Sequence, residues 1–127
     1  MKKRIKAVFV CSSANIGGAE KNIFLINNLL SKNKDIDNKI IFLKEINEKK
    51  INFKKKKNFI FLNSKKIFFS LFKFLNYIKK NKPDIIFSTT YSVNLVCIIA
   101  KMLSNNKFFL ITRESNNIFK KKIYFNF

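Results

Sequence analysis

Lys6-Ala7-Val8-Phe9-Val10-Cys11-Ser12-Ser13-Ala14-Asn15-Ile16-Gly17-Gly18 sets the architecture of this chain. From Ala7 to Cys11 the residues are apolar at successive positions and rich in β-branched and aromatic types, the pattern of a strand buried on both faces. Residues 12–18 are turn formers and hold the only two glycines of the chain, Gly17 and Gly18. Beyond them Ala19, Ile23, Ile26, Leu29 and Leu30 recur at helical spacing as far as Lys32. A doubly buried strand thus runs through a glycine turn into a helix.

Outward from this unit the same alternation continues. Residues 39–43 (Lys-Ile-Ile-Phe-Leu) form a second strand, followed by a polar, lysine-rich stretch through Lys57 that reads as a surface loop. Residues 58–62 form a third strand, and Ser64 is placed to cap a helix running to about Lys80, with Asn81 and Pro83 as its stop. On that helix Ile67, Phe68, Leu71, Phe72, Phe74, Leu75 and Ile78 share one arc, and Lys73, Asn76 and Lys80 the other. Residues 84–88 make a fourth strand, 89–92 a polar turn, 93–103 a helix apolar almost all round and so expected to be buried, and 108–112 a fifth strand. The tail after Arg113 carries the charge run 120–122 and an aromatic end that completes no element.

Apolar strands alternating with helices predict an α/β domain, a doubly wound parallel sheet of Rossmann-like type covered on both faces. The strand order expected is 3-2-1-4-5. A ligand crevice then opens where the order reverses, between the first and fourth strands, where the loops 12–18 and 88–92 meet. Gly17 and Gly18 leave backbone N–H groups approachable at a helix N-terminus, which suits a phosphate or a sugar hydroxyl. The pair is neither a GxGxxG nor a Walker loop, and a tight turn alone would also use it.

At 127 residues the chain fits one domain, and 47% hydrophobic residues exclude a disordered class. The longest apolar stretch, residues 93–103, is far short of the roughly 20 residues a bilayer span needs, and the run after Met1-Lys2-Lys3-Arg4 is too short for a signal peptide. A cytoplasmic location is expected. Cys11 and Cys97 are far apart and the chain has no histidine, so no CxxC or His-containing zinc site is built. The net charge of +20 comes from 27 basic and 7 acidic residues. Only Arg4 and Arg113 are arginine, and abundant Lys, Asn, Ile and Phe also follow from A- and T-rich codons. Both a polyanion-binding surface and codon bias account for such charge, while scarce arginine argues against base reading.

The order of motifs resembles the N-terminal half of a family 4 glycosyltransferase with the GT-B fold. Ile16-Gly17-Gly18-Ala19-Glu20-Lys21 resembles that family's GGAER-type loop. Lys82-Pro83-Asp84-Ile85-Ile86, with Lys80 before it and Phe87-Ser88 after, resembles its KPDII approach to the fourth strand. Leu110-Ile111-Thr112-Arg113-Glu114-Ser115 resembles the strand and turn that follow. The resemblance implies retaining, metal-independent sugar transfer from a nucleotide-sugar donor, with no further cofactor. It places Gly17, Gly18 and Glu20 at the donor-phosphate and acceptor loop and Thr90, Tyr91, Arg113 and Glu114 on the cleft wall. Arg113 and Glu114 are equally read as a surface ion pair worth at most about 1 kcal/mol.

The chain departs from the family in two respects. Thr89-Thr90-Tyr91-Ser92 stands where many relatives have a histidine, and the paired-glutamate donor motif of the family's C-terminal domain is not in this sequence. Residues 1–127 therefore read as a single, incomplete acceptor-side domain, expected to be inactive alone, with a sugar acceptor, lipid-linked or not, and a separate C-terminal-domain chain as its partners. A rival reading is a basic interaction module. Lysines flanking the helix at 65, 66, 79 and 80 suit an anionic membrane surface, at about 1 kcal/mol each. Lys54 to Lys57 beside Phe53 and Phe59 suit nucleic acid less well than they suit a solvated loop, and no nucleic acid is expected as a partner.

Overall fold

The computed structural model describes residues 3–13, 18–44 and 58–114, with only the backbone of 18–20. Its elements run β1 (Ile5–Cys11), α1 (Gly18–Ser31), β2 (Ile36–Lys44), β3 (Phe59–Ser64), a 3-10 turn (Ile67–Ser70), α2 (Leu71–Asn81), β4 (Ile85–Thr89), α3 (Tyr91–Leu103) and β5 (Phe109–Arg113). The strands form one sheet in the order β3-β2-β1-β4-β5. All four neighbouring pairs are parallel, with Val10 opposite both Ile41 and Ser88. This is the expected α/β, Rossmann-like layer with the expected strand order. The lysine-rich stretch 45–57 and the tail from 115 lie outside the described residues.

Alternation along the strands divides the core in two. Val8, Val10, Ile41, Leu43 and Ile86 point to one face, where Phe74 and Ile78 of α2 and Val93, Val96, Cys97 and Ala100 of α3 close over them. Phe9, Cys11, Ile40 and Phe42 point to the other, under Ile23, Phe24 and Leu30 of α1. Phe24, Phe42, Phe59 and Phe61 stack on that second face, with neighbouring ring centroids as close as 5.2 Å. Each fully buried side chain of this kind contributes about 1.5–3 kcal/mol.

The strand starts are tied together by the Pro83-Asp84 corner. Asp84 Oδ2 accepts the Lys6 N–H at 2.8 Å, the Asp84 N–H donates to the Lys6 carbonyl at 2.9 Å, and the Asp84 carbonyl accepts the Phe109 N–H at 2.9 Å. α2 stops as expected. Lys82 takes the left-handed conformation (φ 48°, ψ 63°) and donates its N–H to the Ile78 carbonyl, and Pro83 follows.

Several expectations are corrected. Ser64 is the last residue of β3, with its Oγ buried and unpartnered, and it caps nothing; the strand runs two residues further than its apolar stretch. The helical turn begins at Ile67 instead, where the Ser70 hydroxyl donates to the Ile67 carbonyl. On α1, Ile26 and Leu29 are exposed, while the polar Asn27 is buried. The helix is rolled so that the Asn38 side-chain amide of β2 donates to the Asn27 carbonyl at 2.9 Å and to its side-chain oxygen. On the second helical segment Phe68 and Phe72 are exposed, because Ile67, Leu71, Phe74, Leu75, Tyr77 and Ile78 fill the space against the core. α3 is buried on one side only, and Ile98, Met102 and Leu103 face outward. β5, at the sheet edge, exposes Phe109 and Ile111 among the described residues.

Candidate functional site

β1 and β4 lie side by side, and the sheet order reverses between them. β1 leaves this crevice at Cys11 and the chain returns as α1 at Gly18; β4 leaves at Thr89 and the chain returns as α3 at Tyr91. The two connections therefore open at the same, carboxyl end of the sheet. Gly18 and Glu20 belong to the first turn of α1, whose N–H groups face this end with the positive end of the helix dipole. Gly17 lies outside the described residues. Ser12 is held by its carbonyl, which accepts the Lys44 N–H at 2.8 Å from the end of β2.

The β4–α3 connection is a single residue, Thr90, at φ 76° and ψ 145°. A β-branched residue avoids this region, so the backbone there is strained by on the order of 1–3 kcal/mol. Tyr91 follows at the start of α3 with its ring exposed. Arg113 pairs in register with Thr89, so the end of β5 continues the same rim. Arg113 is exposed; Glu114 is half-buried, with its Oε1 buried and without a hydrogen-bond partner. Of the residues expected at the site, Thr90, Tyr91, Arg113 and Glu114 thus come together on one rim with the first turn of α1.

Beneath the rim lies a polar network that sequence reasoning missed. The buried Ser88 hydroxyl donates to Asn94 Oδ1 at 2.7 Å, and Asn94 Nδ2 donates to the Arg113 carbonyl at 3.0 Å. The Asn94 N–H also closes onto the Thr90 carbonyl at 2.9 Å. One amide therefore holds β4, α3 and β5 in place under the crevice. The signal was present, since Asn94 is the polar interruption in an otherwise apolar helix. Thr89 is buried with its Oγ1 unpartnered, a second polar atom at the crevice without a protein partner. Unsatisfied hydroxyl and carboxylate oxygens at a strand switch point are equipped to meet ligand hydroxyls.

Cys97, packed below Ser88, is no nucleophile. Burial pushes its thiol up to about 12, against a smaller opposing effect of the Ser88 hydrogen bond. Two cavities lie toward the opposite ends of the strands. One of about 60 Å³ is lined by Lys6, Asp37, Lys39, Tyr77, Asn81 and Pro83. There burial, and secondarily the charge of Asp37, push the Tyr77 phenol up to about 12. The other, about 260 Å³ and wholly apolar, lies on the α1 side of the sheet between Leu30, Phe87 and Ile111. Neither coincides with the crevice, which opens where the sheet order reverses between β1 and β4. Among the described residues no three His, Cys, Asp or Glu side chains stand close enough to hold a metal ion. No helix among them is long and apolar enough to cross a membrane.

No family model and no curated protein matches this chain. Among solved structures, the apo form of the lipopolysaccharide outer core galactosyltransferase WaaB superimposes on 93% of the chain, with a TM-score of 0.73 at 18% sequence identity. The chain has the fold of one half of a GT-B glycosyltransferase. It spans 35% of the length of that neighbour. The reversal between β1 and β4, the first turn of α1 and the Thr90 corner occupy one end of the chain's sheet.

Proposed function

We propose that this chain is the acceptor-side half of a retaining, family 4-type glycosyltransferase that takes a hexosyl group from a nucleotide sugar. The observation that carries the reading is the convergence of the β1–α1 and β4–α3 connections at the switch point of a GT-B half. The first turn of α1, which opens at Gly18 and includes Glu20 in the stretch Ile16-Gly17-Gly18-Ala19-Glu20-Lys21, offers its backbone N–H groups to the donor diphosphate. Thr90, Tyr91, Arg113 and Glu114 line the wall that receives the acceptor. In the reaction the bond from the anomeric carbon to the diphosphate oxygen breaks, the acceptor hydroxyl adds to that carbon, and its proton passes to the departing nucleoside diphosphate.

The departing diphosphate needs opposing charge and exclusion of water, which two closing domains supply together. Residues 1–127 form one wall of that cleft and act with a donor-binding domain carried on the same or a separate polypeptide. Coverage of about a third of the neighbour supports this, as do the exposed Phe109 and Ile111 of the edge strand β5. The test is titration of the purified chain with nucleoside-diphosphate hexoses, followed by amide NMR and by assay of donor consumption. Weak, saturable shifts at Gly18, Thr89 and Thr90 with no turnover are expected. Shifts scattered over the lysine-bearing surfaces would sink the site, and turnover by the chain alone would sink the division of labour.

A further inference from the structure

The cavity of about 60 Å³ at the starts of β1 and β2 is unlike the core beside it. Val8 and Val10 of β1, with Ile41 and Leu43 of β2, point to the α2 side of the sheet. By the two-residue period of a strand Lys6, Asp37 and Lys39 point to that side as well, and Tyr77 and Asn81 of α2 close over them. Lys6 is open to solvent, and the other four side chains are half-buried. The phenol of Tyr77 feels the charge of Asp37. Yet among the described residues no hydrogen bond or ion pair joins the Asp37 carboxylate, the Lys39 ammonium and the Tyr77 hydroxyl to one another, although all three line one small space. Polar groups at the margin of a core ordinarily bond to each other or to something between them. A water takes about 30 Å³ in the liquid, so this space admits a group larger than one water.

The lining selects a ligand by its chemistry. Two ammonium groups, of Lys6 and Lys39, face the single carboxylate of Asp37, so the cavity carries an excess of positive charge and suits an anion. The carbonyl end of α2 would oppose an anion, but its carbonyls there are engaged. The Tyr77 carbonyl accepts the Asn81 side-chain amide at 3.1 Å, that of Ile78 the Lys82 N–H at 2.9 Å, and that of Asn81 the Lys6 ammonium at 3.0 Å. Further N–H donors remain on Lys6, and Lys39 and the Tyr77 hydroxyl add theirs. Burial, and secondarily the charge of Asp37, push that phenol up to about 12, so it keeps its proton at neutral pH and donates. Asp37 makes the reverse demand, since a carboxylate accepts and repels an anion that offers nothing but lone pairs. A phosphate that retains a proton satisfies both. We propose that this cavity binds a protonated phosphate group, inorganic phosphate or a small phosphate monoester, with Lys6, Lys39 and Tyr77 donating to its oxygens and Asp37 accepting from its P–OH. Sulfate has no proton to give at neutral pH and is turned away by Asp37. A nucleotide sugar has no terminal phosphate, so this site is distinct from the crevice at the other end of the strands.

The experiment is titration of the full chain with inorganic phosphate and, separately, with sulfate. It is run at about pH 6, where phosphate and its monoesters still carry protons, with ionic strength held constant by sodium chloride. Amide NMR and the urea midpoint are the readouts. Phosphate should give saturable shifts at Ala7, Asn38 and Tyr77 and a raised midpoint. Sulfate should need at least about tenfold higher concentration, because a hydrogen bond to a charged group is lost and a repulsion takes its place. Asp37→Asn should abolish that preference, since an amide offers sulfate a donor. Tyr77→Phe and Lys39→Gln should each weaken phosphate binding by about tenfold or more, and Tyr77→Phe keeps the ring that packs against the core. Shifts at Gly18 and Thr90 caused by a nucleotide sugar should be unaffected by Lys39→Gln, which separates this site from the crevice. Glycerol phosphate identifies the source. Its shifts at the same residues would assign the cavity to monoesters as well, and their absence would restrict it to the free ion. Equal response of the parent to phosphate and sulfate, phosphate shifts confined to other residues, or shifts that survive both Tyr77→Phe and Lys39→Gln overturn the proposal.

Discussion

Thr90 is the residue whose backbone departs furthest from what its side chain prefers, at φ 76° and ψ 145°. Glycine occupies that region without penalty, so Thr90→Gly removes strain while adding unfolded-state entropy. Strain of about 1–3 kcal/mol outweighs a glycine entropy cost of about 0.5–1 kcal/mol. The variant should therefore have a higher urea midpoint, by an amount equivalent to roughly 1 kcal/mol. A lower midpoint would mean that the threonine is at ease there and the corner is unstrained. The Asn27–Asn38 pair makes the complementary point. Asn27→Ala leaves a buried amide at Asn38 short of an acceptor and should cost about 1–3 kcal/mol, whereas Asn27→Leu with Asn38→Val removes both polar groups and should cost clearly less. Equal losses in the two variants, measured by urea unfolding, would show that packing and not hydrogen bonding sets the roll of α1.

At the scale of elements, the chain alternates as its apolar runs dictate, and the five strands and three helices of the described residues were legible within a few residues of their ends. What was not legible is which side of each helix meets the sheet. On α1 the period of Ile26 and Leu29 pointed to one face, but a hydrogen-bonded asparagine turned the helix to another. On α2 seven apolar residues shared one arc, yet the sheet offers room for only the middle of it, and Phe68 and Phe72 stayed outside. At the site, the crevice and its rim followed from strand order, while the Ser88–Asn94 network did not, because a lone asparagine in an apolar helix looks like an interruption until its partner is known. α3 carries a further consequence of burial. In the folded chain the Cys97 thiol ionises near 12, against 9.0 for an ordinary thiol, so between those values the folded form holds a proton that the unfolded form has lost. Stability is then fully present below about pH 9 and falls as pH rises toward 12. Cys97→Ala should flatten the early part of that fall, read as urea midpoints from about pH 8 to about pH 11; unchanged curves would remove the thiol as the cause.

Across the whole molecule the dominant quantity is charge. With 27 basic and 7 acidic residues, no more than 7 cations can each have a carboxylate of their own, and a net +20 remains. Unfolding lets those charges move apart, so self-repulsion acts against the compact state and is relieved by salt. Raising sodium chloride from about 10 mM to about 1 M shortens the screening length from about 30 Å to about 3 Å, less than the spacing of most surface lysines. The urea midpoint should therefore climb steadily over that range, the reverse of what a fold held by surface ion pairs would do. The same titration distinguishes general screening from occupation of a particular site. Screening by chloride rises smoothly with concentration, whereas inorganic diphosphate, if it seats at the first turn of α1, should stabilise the chain at concentrations too low to change the ionic strength. A midpoint that falls with added sodium chloride would show that the few carboxylates, Asp84 at the strand corner among them, hold more of the fold together than the lysines push apart.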